Sequence, residues 1–217
     1  MNNYLPILAI ETSGDLCSVA LMLDKNSFVE LNYLQKHIHS KKIIEMIDVV
    51  LKSAEKDIKD VKAIAVSSGP GSFTGLRIGF SAAKGLALGA GVQIIPVPTF
   101  NAAAGHICKT LPEKSKFIIE TKASLEEVYA AKYQAGDSKF QIIKDVEVVR
   151  RENIKNYCEG YDLIFGNIEG RPLNLTAISI TEWAYLFGND LLTFDYDYLE
   201  PEYFGNPFLK QNVKVKK

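Results

Sequence analysis

The chain has 217 residues, of which 47% are hydrophobic and 24% are charged, so it has enough apolar material for one large domain or two lobes. Its formal net charge of −1 argues against nucleic-acid binding through bulk positive charge alone. The cysteines at 17, 108 and 158 form no CxxC pair, which favours a reducing cytoplasm over a zinc site or a disulfide framework. We expect neither a signal peptide nor a membrane-spanning segment, since no run of about 18 apolar residues occurs.

The first third of the chain predicts an antiparallel meander followed by an amphipathic helix. Strands are predicted in "YLPILAI", "LCSVALML" and "SFVELNYL", which only short turns separate. In the next segment, "HSKKIIEMIDVVLKSAEK", apolar residues that include Ile43, Ile47 and Val50 fall on one helical face. "VKAIAVSS" predicts a fourth strand.

Residues 67–91, "SSGPGSFTGLRIGFSAAKGLALGAG", hold an unusual number of glycines and still predict a helix from Thr74 onward, with Ser72 or Thr74 as its cap. Glycine inside a helix costs roughly 0.5–1 kcal/mol relative to alanine, so the glycines need a physical reason. Several small residues fall within about one third of the helix circumference, which predicts that another backbone comes very close there. That backbone is either a partner helix or this chain's own sheet.

The second half repeats the plan of the first. After the strand "IIPVPTF", helices are predicted in "NAAAGHICKTL", "RENIKNYCEG" and "ITEWAYLFGN", and strands in "KFIIETKAS", "LEEVYAAKYQ", "FQIIKDVEVV" and "DLIFGNI". We therefore predict an N-terminal lobe over residues 1–100, a C-terminal lobe over 101–200 and a tail over 201–217, with the boundary at 98–101.

The glycine-rich loop does not fit a known nucleotide-binding motif. Leu76 follows Gly75 where a P-loop needs lysine, and Thr74 stands at the third glycine of the dinucleotide fingerprint. Backbone N–H groups before a helix can still accept an anion, which makes Gly69, Gly71 and Ser72 candidates for phosphate binding. The alternative is a tight turn that sets up helix packing.

The remaining polar residues form no convincing catalytic site. His37 and His39 lack the i, i+4 spacing of two metal ligands on a helix, and His106 stands alone. Glu126 and Glu127 are adjacent in a predicted strand and point to opposite faces. No nucleophile elbow is present, so the residues alone predict neither a catalytic residue nor a metal ligand.

Three stretches resemble the TsaB (YeaZ) family of bacterial tRNA-modification proteins: "ILAIETSGDLCSVAL", "SSGPGSFTGLRIGFSAAKGLALGAGVQIIPVPTFNAAA" and "LEEVYAAKY". The resemblance covers residues 7 to about 133. It implies an α/β fold of the actin–Hsp70–sugar-kinase type, with two lobes that each carry a mixed twisted sheet and flanking helices.

The resemblance also implies a function. The implied function is that of a non-catalytic, cytoplasmic scaffold subunit. Such a subunit supports a TsaD-like transferase in threonylcarbamoylation of adenosine 37 of tRNAs reading ANN codons. A TsaE-like ATPase is the implied third component, tRNA binds mainly through the complex, and the chain alone forms a homodimer. No cofactor is implied, although a nucleotide at a shared complex interface stays open.

The family pairs through helices, so the resemblance implies a partner interface on the two helices of the N-terminal lobe. The implied interface residues are Ile43, Ile47, Val50, Gly75, Gly79, Ala82, Ala83 and Leu86.

Two positions argue against chemistry of the chain's own. The metal-binding histidines of the catalytic paralogue fall on Thr99 and Ala103, which cannot serve as that pair. Residues 122–124, "KAS", stand where the family often has Asp-Ala-Arg, so a second phosphate-facing acid is expected to be missing. The alternative is a nucleotide-binding ATPase or small-molecule kinase of the same superfold, with Thr12, Ser13 and Gly14 as its first phosphate loop.

Overall fold

The computed structural model describes residues 4–136 and 139–204, which form nine strands in two sheets and five α-helices. The strands are β1 (Ile7–Glu11), β2 (Leu16–Asp24), β3 (Ser27–Leu34), β4 (Ala63–Gly69), β5 (Gln93–Pro98), β6 (Lys116–Lys122), β7 (Glu127–Ala135), β8 (Phe140–Arg150) and β9 (Leu163–Phe165). The helices are α1 (His39–Ser53), α2 (Phe73–Ala90), α3 (Thr99–Cys108), α4 (Ile154–Cys158) and α5 (Ala177–Phe187). Of the predicted tail, residues 205–217 lie outside the described part.

The first sheet has the strand order β3-β2-β1-β4-β5. Strands β1, β2 and β3 form the predicted antiparallel meander, and β4 and β5 continue the sheet in parallel with β1. Every residue of β1 and β4 is buried, because α1 and α2 cover one face of the sheet and α5 covers the other. Burial on both faces explains why these strands are almost continuously apolar in sequence.

The second sheet has the order β8-β7-β6-β9 and repeats the same plan on a smaller scale. Strands β6, β7 and β8 are antiparallel, and β9 pairs in parallel with β6. Helix α3 packs on one face and α4 on the other. The prediction of two mixed sheets with flanking helices is therefore confirmed.

Helix α5 departs from the predicted lobe boundaries, because it packs on the first sheet. Ala177, Ile180 and Ala184 lie in the same apolar cluster as Ile7 and Ile95. Beyond the helix, residue 193 pairs with residue 94 of β5. The assignment of 101–200 to one C-terminal lobe is thus wrong for 177–193, since the second face of the first sheet is apolar and needs a cover.

The first sheet also supplies the cap of α5. The amide of Ala177 donates to Oγ of Ser18 at 2.7 Å, and the amide of Ile178 donates to Oε1 of Glu30 at 2.8 Å. A carboxylate at a helix N-terminus stabilises the partial positive charge there.

None of the helices in the described ranges has the length and apolar character that a membrane crossing requires.

Candidate functional site

The C-terminal ends of β1 and β6 face each other across a cleft of about 330 Å³ between the two lobes. Each strand contributes one buried glutamate to the lining, Glu11 from the first lobe and Glu120 from the second. Ligands of two-lobed α/β proteins bind at such strand ends, which makes this cleft the first place to look for chemistry.

Both carboxylate oxygens of Glu11 are used inside the first lobe. Oε1 accepts a hydrogen bond from the amide of Ser13, and Oε2 accepts one from the hydroxyl of Ser67. Burial raises the pKa of Glu11 above its ordinary value, and the hydrogen bonds from these serines oppose that rise. The carboxyl group therefore ties the loop after β1 to β4.

Glu120 occupies an anion-accepting concavity of the second lobe. Its Oε1 accepts hydrogen bonds from three successive amides, those of Ile168 and Gly170 at 2.9 Å each and that of Glu169. Successive N–H groups of this kind form the concavities that bind phosphates in other proteins. Here the chain's own carboxylate fills it, while Oε2 has no hydrogen-bond partner among the described residues.

The acid expected at 122–124 is absent, but another acid of the same strand lies in the cleft. Glu120 lies in the cleft two positions before Lys122, the residue at which the family pattern had placed that acid. The sequence feature that could have identified Glu120 is its place as an acidic residue within the apolar strand "KFIIETK", in which residues 117–120 are all buried.

The predicted phosphate-loop residues come together, and the backbone donors of Ser13, Gly69 and Ser72 are engaged. The amide of Ser72 donates to the carbonyl of Ser13 at 2.7 Å, and the amide of Gly69 donates to Oγ1 of Thr99 at 3.0 Å. A Cβ atom on Gly71 would lie 2.6 Å from Cβ of Ser13. The glycines therefore permit close packing of two loops, and the alternative of a tight packing turn explains them.

Thr12 and Gly14 complete this loop pair. Thr12 is buried, and its hydroxyl donates to the carbonyl of Gly75 at 2.8 Å. Gly14 is exposed, with no heavy atom within 4 Å of a Cβ built on it. Ser13 and Gly14 both line the cleft, so the role of residues 12–14 as a first phosphate loop stays a prediction.

Gly75 and Gly79, in the small stripe of α2, pack against this chain's own first sheet and the loop after β1. A Cβ atom on Gly75 would overlap the carbonyl of Thr12, and one on Gly79 would overlap its hydroxyl and lie 3.4 Å from Val66. The hypothesis that Gly75 and Gly79 meet a partner helix is therefore wrong. The second possibility, close approach to this chain's own sheet, is correct.

The same correction applies to three of the other predicted interface residues. Ile43, Ile47, Val50 and Ala83 are all at most 3% exposed and belong to the core between the helices and the first sheet. Ile47, Val50 and Ala83 therefore cannot contribute to an interface of the folded chain, whereas Ile43 reaches the groove described below and its place in an interface stays a prediction. Ala82 and Leu86 are half-buried, and their place in an interface stays a prediction.

The outer faces of α1 and α2 form an apolar groove instead. Ile44 is 58% exposed and Phe73 is 47% exposed, and both line this groove. The guanidinium carbon of Arg77 lies 3.9 Å from the ring centroid of Phe73, and its Nε donates to the hydroxyl of Tyr203 at 3.1 Å. The sequence feature that could have indicated this groove is Ile44, an apolar residue beside the charged face of an amphipathic helix.

The positions aligned with a metal pair have structural contacts. Thr99 accepts the hydrogen bond from Gly69, Ala103 is buried, and Nδ1 of His106 lies 3.2 Å from Oγ of Ser179. Within residues 4–136 and 139–204, histidine, cysteine, aspartate and glutamate form no group of three or more that could hold a metal. The expectation that the chain binds no metal stays a prediction.

The chain is similar to proteins of one tRNA-modification family. A family model described as TsaD, tRNA N6-adenosine threonylcarbamoyltransferase, matches residues 33–162. The tRNA threonylcarbamoyladenosine biosynthesis protein TsaB of Haemophilus influenzae is 37% identical over 125 residues, and that of Escherichia coli is 33% identical over 148 residues. The alignments cover 58% and 68% of this chain, and 52% and 63% of those relatives.

The comparison with solved structures identifies the fold. YeaZ from Pseudomonas aeruginosa superposes with a TM-score of 0.73 at 22% identity, covering 91% of this chain and 99% of that one. The two lobes, each with a mixed sheet flanked by helices, form the actin-like fold that the resemblance implied. The family model covers more than half of the chain and both of these curated relatives are TsaB proteins, so the chain belongs to the TsaB (YeaZ) family.

Proposed function

We propose that this chain is a non-catalytic scaffold subunit that supports a TsaD-like transferase in threonylcarbamoylation of adenosine 37 of tRNAs reading ANN codons. In this proposal a TsaE-like ATPase joins the complex, and tRNA binds mainly through the assembled complex. The chain alone forms a homodimer through the surface that the transferase covers in the complex. The unpaired, buried cysteines support a cytoplasmic location.

The observation that carries the non-catalytic role is the hydrogen bonding of Glu120. Its carboxylate takes three backbone donors of the second lobe, and Glu11 takes the amide of Ser13 in the first. A nucleotide phosphate in this cleft would have to compete with two buried carboxyl groups for the backbone donors that they already bind. In this proposal the two glutamates have a structural role, because each fixes a loop within its own lobe. A nucleotide in the assembly would bind at an interface between subunits.

The groove between α1 and α2 is the surface we assign to the transferase. The match to the TsaD family model includes both helices, so the partner would carry an equivalent pair. Two such pairs can pack across a pseudo-twofold axis, because equivalent surfaces are self-complementary in that arrangement. Ile44 and Phe73 supply exposed apolar area, and aromatic and arginine side chains such as Phe73 and Arg77 often dominate binding energy.

The alternative is a nucleotide-binding ATPase or small-molecule kinase of the same superfold. The position of Glu11 and Glu120 in one cleft favours it, since acids from two lobes face the phosphates in enzymes of this type. Against it stand the engaged backbone donors described above.

Reconstitution separates the two functions. Transferase, TsaE-like ATPase, threonylcarbamoyl-adenylate and tRNA are combined with and without this chain, and modified adenosine is quantified by mass spectrometry. We expect modification only when the chain is present, and no ATP hydrolysis or tRNA modification by the chain alone. ATP turnover by the isolated chain on the order of 1 s⁻¹ would contradict the proposal, because that is an ordinary enzymatic rate.

A further inference from the structure

A short segment near the end of the described chain crosses from one lobe to the other. It comprises residues 202–204, which we call the clasp. The amide of Glu202 donates to the carbonyl of Ser68 at 2.7 Å, at the end of β4 in the first lobe. Two residues later, the carbonyl of Phe204 accepts a hydrogen bond of 3.2 Å from the hydroxyl of Tyr129, on β7 of the second lobe. The clasp therefore bonds to both lobes within three residues.

The first-lobe end of the clasp passes very close to the backbone of β4. Gly69 has φ of +116°, and a Cβ atom on it would lie 2.9 Å from the carbonyl oxygen of Glu202. A side chain at this position would strain the backbone and push the clasp away from the strand. The path of the clasp is thus a further reason for glycine at position 69.

The second-lobe end is held by an aromatic contact as well as by the hydrogen bond. The rings of Phe204 and Tyr129 meet edge to face, with their centroids 6.0 Å apart and their planes at 66°. Tyr129 itself packs against the apolar cluster beneath α3, together with Phe117 and Ala131. Its position is therefore set by the second lobe, and the end of the clasp follows that position.

The middle residue of the clasp reaches the groove between α1 and α2. The ring centroid of Tyr203 lies 5.1 Å from that of Phe73, and its hydroxyl accepts a hydrogen bond of 3.1 Å from Nε of Arg77. Phe73 and Arg77 both line the groove. Tyr203 therefore positions two side chains of the surface that we assign to the transferase.

We propose that the clasp couples the groove to the orientation of the two lobes. Its three residues are consecutive, so release of Phe204 from the second lobe also loosens the contacts of Tyr203 with the groove. A partner that covers Phe73 and Arg77 holds Tyr203 in place, and by reciprocity the lobe orientation changes the affinity of the groove for that partner. Only the identity of the partner rests on the proposed function, because the coupling lies within this chain.

The first test uses the isolated chain and Tyr129→Phe. This variant removes the hydroxyl that binds the clasp and retains the ring, and residue 129 lies outside the groove. We expect the Nε–H of Arg77 to exchange with solvent about threefold faster by NMR, within the roughly two- to tenfold that one hydrogen bond of ordinary net strength represents. Tyr198→Phe, at an 85% exposed position earlier in the chain, is the control and should leave the exchange rate unchanged.

The second test measures the lobe orientation by pulsed electron spin resonance. Spin labels are attached through Lys52→Cys in the first lobe and Leu125→Cys in the second, both exposed positions, while the native cysteines are buried. Tyr203→Ala should broaden the distance distribution between the labels, and Tyr198→Ala should not. An unchanged distribution in Tyr203→Ala, or an unchanged exchange rate of Arg77 in Tyr129→Phe, would overturn the proposal. If Tyr203→Ala does not fold, the result with Tyr129→Phe decides alone.

Titration with the transferase separates this proposal from the proposed function. Tyr129→Phe should weaken binding by about threefold although the residue lies in the other lobe. Equal affinities of Tyr129→Phe and the wild-type chain would contradict the coupling. A wild-type chain that does not bind the transferase would contradict the proposed function, and the two measurements on the isolated chain would then decide whether the clasp couples groove and lobes.

Discussion

The amide of Gly170 donates a hydrogen bond of 2.9 Å to Oε1 of Glu120, the same oxygen that binds the two preceding amides. One side chain of β6 thereby fixes the loop that follows β9. Gly166 at the start of that loop makes the contact feasible, since a Cβ atom there would lie 2.5 Å from Cγ of Glu120. One buried carboxyl group of the second lobe thus accepts three successive backbone N–H groups of this loop.

Replacement of Glu120 with alanine tests this relationship. The variant leaves the amides of residues 168–170 without their acceptor, so we expect a loss of about 2 kcal/mol in the free energy of unfolding. Amide hydrogen exchange at 168–170 should accelerate more than in the first sheet. Glu120→Gln keeps an acceptor oxygen and should cost less. Equal stability of the alanine variant and the wild-type chain would show that these hydrogen bonds do not hold the loop.

Gly79→Leu should destabilise the isolated chain by about 1–3 kcal/mol, because the new side chain overlaps Thr12 and Val66 in a closed core. Gly85→Ala is the matched control in the same helix, where a Cβ atom meets nothing within 4 Å. That substitution should stabilise the chain by up to about 1 kcal/mol. Chemical denaturation measures both changes. An unaltered stability of Gly79→Leu would restore the partner-helix hypothesis for this residue.

The pKa of Glu11 gives a pH dependence with a definite sign. Burial raises this pKa above 4.5, so the folded chain binds the proton more tightly than the unfolded chain does. The resulting stabilisation is fully present below pH 4.5 and is lost as the pH rises through the folded-state pKa. Glu11→Gln cannot ionise, and its stability relative to the wild-type chain should increase as the pH rises above 4.5 and through the folded-state pKa of Glu11. Glu126→Gln, at an exposed position, is the control.

Ile44→Glu tests the groove between α1 and α2. The side chain is 58% exposed, so the free energy of unfolding should change by less than about 0.5 kcal/mol. Binding to the transferase should weaken by about tenfold or more, because the interface would bury an unpaired charge. Leu125→Glu, which alters a 79% exposed residue of the second lobe, should bind normally. Calorimetric titration distinguishes the two variants, and equal affinities would exclude the groove.

The elements of the fold could be predicted because the apolar residues recur with strand and helix periods throughout. Strand β2 and helix α1 illustrate this, since each begins and ends close to where its pattern changes. The lobe assignment of α5 could not be predicted. Its apolar residues show that it is buried, but sequence pattern does not say which of two similar sheets it covers.

The candidate site was harder to predict for a physical reason. A row of glycines indicates close approach by another backbone and does not identify that backbone, so Gly75 and Gly79 were compatible with a partner helix and with the chain's own sheet. The role of Glu120 could not be predicted, because it depends on amides about 50 positions away along the chain. Such a contact exists only after β6 and β9 have paired.

The position of α5 has a consequence for synthesis on the ribosome. The face of the first sheet that contains Ile7 and Ile95 stays bare until α5 has emerged, although all five strands of that sheet end by residue 98. The nascent chain therefore carries an uncovered apolar sheet while most of the second lobe is translated. This is the stage at which it is most exposed to aggregation and most in need of a chaperone.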